Sequence, residues 1–169
     1  MSDLNDFYSK ILNIRTKDVE KIVDQIVAEE KEILFSQVQD TEGFCIYLSQ
    51  NIMQRLKNEN INVVELDLND FDLIDHHALL VQFRQSYETN NILIDPTYSQ
   101  FVSSTSKSLI NLKEWPSNLL EKELLDKLLI KGYSLITNEG FNNYLKSFGY
   151  NEKVDLDTYI LDKRSELLR

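Results

Sequence analysis

The chain has 169 residues, with 28 acidic against 18 basic side chains and a formal charge of −10. An apolar content of 42% can fill the core of one domain spanning residues 1–169, whereas an acidic chain without a lysine or arginine cluster is a poor partner for nucleic acid or anionic membrane. No apolar run approaches the ~18 residues of a membrane span, the first residues lack the basic and apolar regions of a secretory signal, and a lone cysteine excludes an internal disulfide framework or a CxxC zinc or redox site.

Residues 16–35 carry Val19, Ile22, Val23, Ile26 and Val27 at helical spacing, with charged residues on the opposite face. A shorter helix with Phe7, Ile11 and Ile14 is expected before it. After a break at Thr41-Glu42-Gly43, a second helix is expected over residues 45–57, with Cys45, Leu48, Ser49, Ile52 and Leu56 on one face and Asn58-Glu59-Asn60 as its end. The period then changes. Residues 61–68 are rich in β-branched side chains and suit a strand, and residues 69–75 form an acidic loop. A second strand is expected over residues 77–83, a polar turn over 86–91 and a third strand over 91–95, stopped by Pro96. The last two strands have the spacing of a hairpin. Further helices are expected over residues 116–131, closed by Gly132, over 138–148, closed by Gly149, and over 155–168. Helices, then strands, then helices predict an α+β fold: a small antiparallel sheet packed by helices. Its catalytic core would lie at about residues 37–101 and a helical region at about 116–168.

Cys45 follows Gly43 by two residues and opens a helix. Unpaired N–H groups there favour thiolate over thiol, and can hold an oxyanion forming beside the sulfur. A small buried hydrophobe is the plain alternative. Both histidines of the chain are adjacent, His76 and His77, at the start of an apolar strand. Side chains alternate along a strand, so the two rings point to opposite faces and rarely share a metal ion with Asp70, Asp72 or Asp75. Asp95 ends the next strand before a proline, where a carboxylate can cap a turn. Taken together, a thiol needs a base, and an imidazole needs a carboxylate to fix its tautomer. A hairpin brings the start of one strand beside the end of the next, so His77 and Asp95 are expected as neighbours, with the Cys45 helix packed on the sheet through Ile52 and Leu56.

The runs Gly43-Phe44-Cys45-Ile46-Tyr47-Leu48-Ser49, His77-Ala78-Leu79-Leu80-Val81 and Ile94-Asp95-Pro96-Thr97-Tyr98-Ser99-Gln100-Phe101 resemble the papain-like/transglutaminase-like superfamily. The Asp-Pro-Thr-aromatic-x-Gln-Phe run is also similar to bacterial effector glutamine deamidases of the papain fold. The resemblance covers roughly residues 37–101. It implies Cys45 as nucleophile, His77 as general base and Asp95 as its orienting partner. His77 is preferred over His76 because it stands at the His-Ala strand start. Gln39, six residues before Cys45, is the implied oxyanion donor. Tyr98, Gln100 and Phe101 would brace the turn after Asp95.

Such a triad supports acyl transfer through a Cys45 thioester, without cofactor or metal. Water as acceptor gives a protease, amidase or glutamine deamidase, and an amine gives transglutamination or N-acylation. The acidic exterior suits a protein, peptide or amine substrate. The class outside catalysis is an acidic interaction protein whose triad residues are structural. A cytoplasmic location is expected, with signal-independent secretion left open.

Overall fold

The computed structural model describes residues 18–37, 45–103, 110–111 and 122–167, with backbone alone at 37, 45, 102–103, 110–111 and 167. In chain order these residues form α1 (Val19–Gln37), α2 (Cys45–Asn58), β1 (Val63–Asp67), a 3-10 turn (Leu68–Phe71), β2 (His77–Gln85) and β3 (Glu88–Ile94). A second 3-10 turn (Tyr98–Phe101) leads into β4 (Val102–Ser103), which pairs in parallel with β5 (Ile110–Asn111). Then come α3 (Lys122–Ile130), β6 (Tyr133–Leu135), α4 (Asn138–Lys146) and α5 (Leu156–Leu167). The expected helix at Phe7–Ile14 lies outside the described residues, as do the first residues of the helix expected from 116.

The main sheet has the order β1-β2-β3-β6, and every pair in it is antiparallel. Among the described residues, five helices surround this four-stranded sheet, and the fold is α+β. Side chains alternate across the sheet and build two cores. On one face Leu79, Val81, Ile92 and Ile94 pack against Val23, Ile26 and Val27 of α1 and Leu48, Ile52 and Leu56 of α2. On the other, Ala78, Leu80 and Leu93 pack against Leu128 of α3, Phe141, Tyr144 and Leu145 of α4, and Ile160 of α5. The central strands are therefore buried on both faces, which is why Ala78 to Val81 reads as an unbroken apolar run.

Helix ends follow local chemistry. The Asp18 carboxylate accepts from the Lys21 N–H at 3.1 Å at the start of α1, and Thr137 caps α4 by accepting from the Gly140 N–H at 3.0 Å. Gly132 closes α3 with φ +83, a left-handed conformation that glycine adopts without a Cβ clash.

Two expectations need correction. Strand β3 begins at Glu88, not near residue 91, because the hairpin closes over only two residues, Ser86 and Tyr87. Both have positive φ (53 and 68), as a type I′ turn requires, without the Asn-Gly pair that would have announced it. Strand β6 was not expected at all. Its three residues are too few for a period, and it exists because β3 offers an edge to which Tyr133–Leu135 can bond.

Candidate functional site

The hairpin does bring the start of β2 beside the end of β3, but the histidine it delivers to Asp95 is His76. His76 Nε2 lies 2.9 Å from both Asp95 oxygens, and neither residue has solvent-exposed surface. The expected His77–Asp95 pairing is thereby overturned. The reason is the pleat. The register pairs Leu80 with Leu93, and Asp95 lies two residues beyond Leu93 on the same face. His76, two residues before Ala78, shares that face, whereas His77 shares the face of Leu79. The ring of His77 turns to the other side, with Nδ1 on a Glu65 oxygen and Nε2 3.4 Å from Asp75 Oδ1.

A carboxylate only accepts, so Nε2 of His76 carries the proton in this contact, and the lone pair of the neutral ring resides on Nδ1. Asp95 is held from several sides. Its N–H donates to the Gly132 carbonyl at 2.8 Å, and its Oδ2 accepts from the Tyr144 hydroxyl at 2.6 Å. The surrounding wall is aromatic. The His76 ring meets the edge of Phe101 at 4.7 Å and stacks near Phe148 at 5.9 Å between centroids. Tyr98 is fully buried beside them, and its hydroxyl donates to Ser147 Oγ at 2.9 Å. Burial pushes the Tyr98 phenol well above its ordinary value of 10.0; the Ser147 hydrogen bond opposes this, and the Asp95 charge adds to it. Gln100 braces the turn by donating to Thr97 Oγ1 at 3.1 Å.

Cys45 is the first residue of α2. Its side chain, and Gln39 as a whole, lie outside the described residues. The placement of the helix is clear. From Asn58 the chain turns at Asn60 (φ 60) into β1, so α2 runs back antiparallel to β1. Its N-terminal end therefore sits where Asp67 pairs with His77, at the end of the sheet that carries His76 and Asp95. The Ser49 hydroxyl, one turn after Cys45, donates to the His77 carbonyl at 3.4 Å. Helix α2 covers the aliphatic face, whereas the His76–Asp95 pair is on the aromatic one.

Two contributors escaped the sequence reading. Strand parity groups His76 with Ala78 and Leu80, but only the β2–β3 register, with Leu80 opposite Leu93, puts Asp95 on that face. Tyr144 had no such signal, because its spacing with Phe141 and Phe148 reads simply as helix core. The cavity of about 440 Å³ between residues 89–91, 135–138 and 155–157 is at the far end of β3 from Asp95 and has no part in this cluster. Among the described residues no group of three or more His, Cys, Asp or Glu is arranged to hold a metal ion, and no helix is long and apolar enough to cross a membrane. No protein family, curated protein or solved structure matches this chain.

Proposed function

We propose that the protein is a cysteine-dependent acyl-transfer enzyme with a papain-like/transglutaminase-like arrangement, most simply a hydrolase of amide bonds. Cys45 is the nucleophile, His76 the general base and Asp95 the partner that orients the ring. The observation that carries this reading is the buried carboxylate on Nε2 of His76. A surface turn does not need such a pair, and burying one without a task is expensive. The carboxylate fixes one tautomer and directs the basic nitrogen away from itself.

In the proposed reaction, His76 Nδ1 takes the Cys45 proton, and the sulfur attacks a carboxamide carbonyl. The N–H groups at the start of α2 stabilise the oxyanion. The imidazolium then returns the proton to the leaving amine as the C–N bond breaks, leaving a thioester on Cys45. Water adds to that thioester, assisted by His76, and releases acid and thiol. An amine in place of water would give transfer instead. A reducing, cytoplasmic setting suits such a thiolate.

The test is alkylation of the single cysteine by iodoacetamide across pH. An activated thiol reacts well below the ordinary thiol range near ~8.5, and His76→Ala returns its profile to that range while His77→Ala does not. A wild-type profile of an ordinary thiol sinks the enzymatic reading and leaves the acidic interaction protein as the better account.

A further inference from the structure

One buried group at this site has no part in the reaction above. The Tyr144 hydroxyl donates to Asp95 Oδ2 at 2.6 Å, a short contact of the charge-assisted kind. The Asp carboxylate turns in a broad, shallow torsional well, so nothing within Asp95 itself decides how its oxygens face the ring. Both oxygens nevertheless stand 2.9 Å from His76 Nε2. The donor that can hold that orientation is rigid. Tyr144 lies on α4, and its ring packs 5.1 Å from Phe148 and 5.6 Å from Tyr98, between centroids. Among the described residues, the titratable groups contributed by the turn after Asp95 and by α4 to this cluster are Tyr98 and Tyr144. Only the hydroxyl of Tyr144 reaches the carboxylate, since that of Tyr98 goes to Ser147.

We propose that Tyr144 is a positioning residue for the Cys45 reaction, its hydroxyl locking the Asp95 carboxylate in the orientation that presents both oxygens to His76. This rests on the acyl-transfer reading of the same site. Tyr144 touches neither substrate nor sulfur in this role. It acts through Asp95 on the ring, and through the ring on the thiol.

The full chain carrying isotope-labelled histidine tests this. It has two histidines, so His77→Gln assigns the ring signals. Tyr144→Phe should move the His76 Nε2–H resonance and slow Cys45 alkylation at neutral pH by about tenfold, the scale of a hydrogen bond to a charged group. Tyr98→Phe removes an equally buried hydroxyl from the same cluster, and should leave the His76 signal in place. Equal effects of the two variants, or an unmoved signal in Tyr144→Phe, overturn the proposal. If Tyr144→Phe does not fold, the wild-type protein decides. A slowly exchanging Tyr144 hydroxyl proton should show a nuclear Overhauser contact to His76 Nε2–H, and its absence counts as overturning. An ordinary thiol in the wild type removes the acyl-transfer reading and this role together, whereas an activated thiol indifferent to Tyr144→Phe removes this role alone.

Discussion

The two faces of the sheet are built from different materials. The face under α1 and α2 is mainly aliphatic: valines, isoleucines and leucines predominate, joined by Phe83 and by Tyr133, whose hydroxyl donates to Asp24. The face under α3, α4 and α5 is aromatic near Asp95, and a hydrogen-bonded chain of His76, Asp95 and Tyr144 runs through it. Aliphatic packing fills volume but directs nothing. Aromatic side chains fill volume too, and their hydroxyls give a buried carboxylate the donors it needs. The chain thus keeps a mostly aliphatic scaffold on one side and the buried His76–Asp95–Tyr144 chain on the other.

That contrast can be broken by substitution. Asp95→Ala should be the most damaging change, destabilising the fold by about 3–5 kcal/mol, because it leaves the His76 and Tyr144 donors buried without their acceptor. Ile52→Ala, fully buried on the aliphatic face, should cost about 2–5 kcal/mol by leaving a cavity. Urea titration of both separates the mechanisms. Asp95→Asn keeps the shape, and should recover much of the loss at Asp95, whereas no polar isostere helps at Ile52.

The adjacent histidines sharpen the same point. His76→Ala should destabilise by about 2–4 kcal/mol, since it empties an aromatic pocket and strands Asp95. His77→Ala should cost no more than about 1 kcal/mol, because its carboxylate partners keep access to water, Asp75 being exposed and Glu65 partly so. Equal thermal shifts for the two would contradict the assignment of faces.

Glycine substitutions probe how firmly the Asp95 backbone is held. Gly132→Ala should lose about 1–3 kcal/mol, as a Cβ there stands 3.1 Å from Pro96 Cα in a left-handed conformation. Gly149→Ala shares the positive φ but meets nothing within 4 Å, so chemical denaturation should show the smaller loss.

Alkaline pH gives the mildest effect. Tyr98, Tyr133 and Tyr159 all have phenols raised above their ordinary value of 10.0, chiefly by burial. Above pH 10.0 the unfolded chain sheds these protons while the folded chain keeps them, so stability present below that pH falls as pH rises. For Tyr98 the loss is roughly 1 kcal/mol per pH unit. The part of the tyrosinate absorbance that Tyr98→Phe removes should then appear only together with unfolding, and a gradual rise of that part in the folded state would contradict the burial.

The sequence by itself determined the local elements and the three chemical types. The valine and isoleucine spacing of α1, the Leu48-Ile52-Leu56 stripe of α2 and the β-branched run of β1 are periodic signals that any packing must respect. Cys45 at a helix start and Asp95 at a strand end were legible for the same reason, since both positions follow from where a period begins or stops. Tertiary structure decided the rest. Which histidine meets Asp95 depends on pairing register, and a shift of one residue exchanges the faces. Strand β6 depends on an edge that exists only once β3 is in place. Tyr144 reaches Asp95 from 49 residues away in the chain, through a helix whose own spacing reads only as core. Periodicity records which side of an element is apolar, whereas a hydrogen bond between distant residues is set by where the elements come to rest.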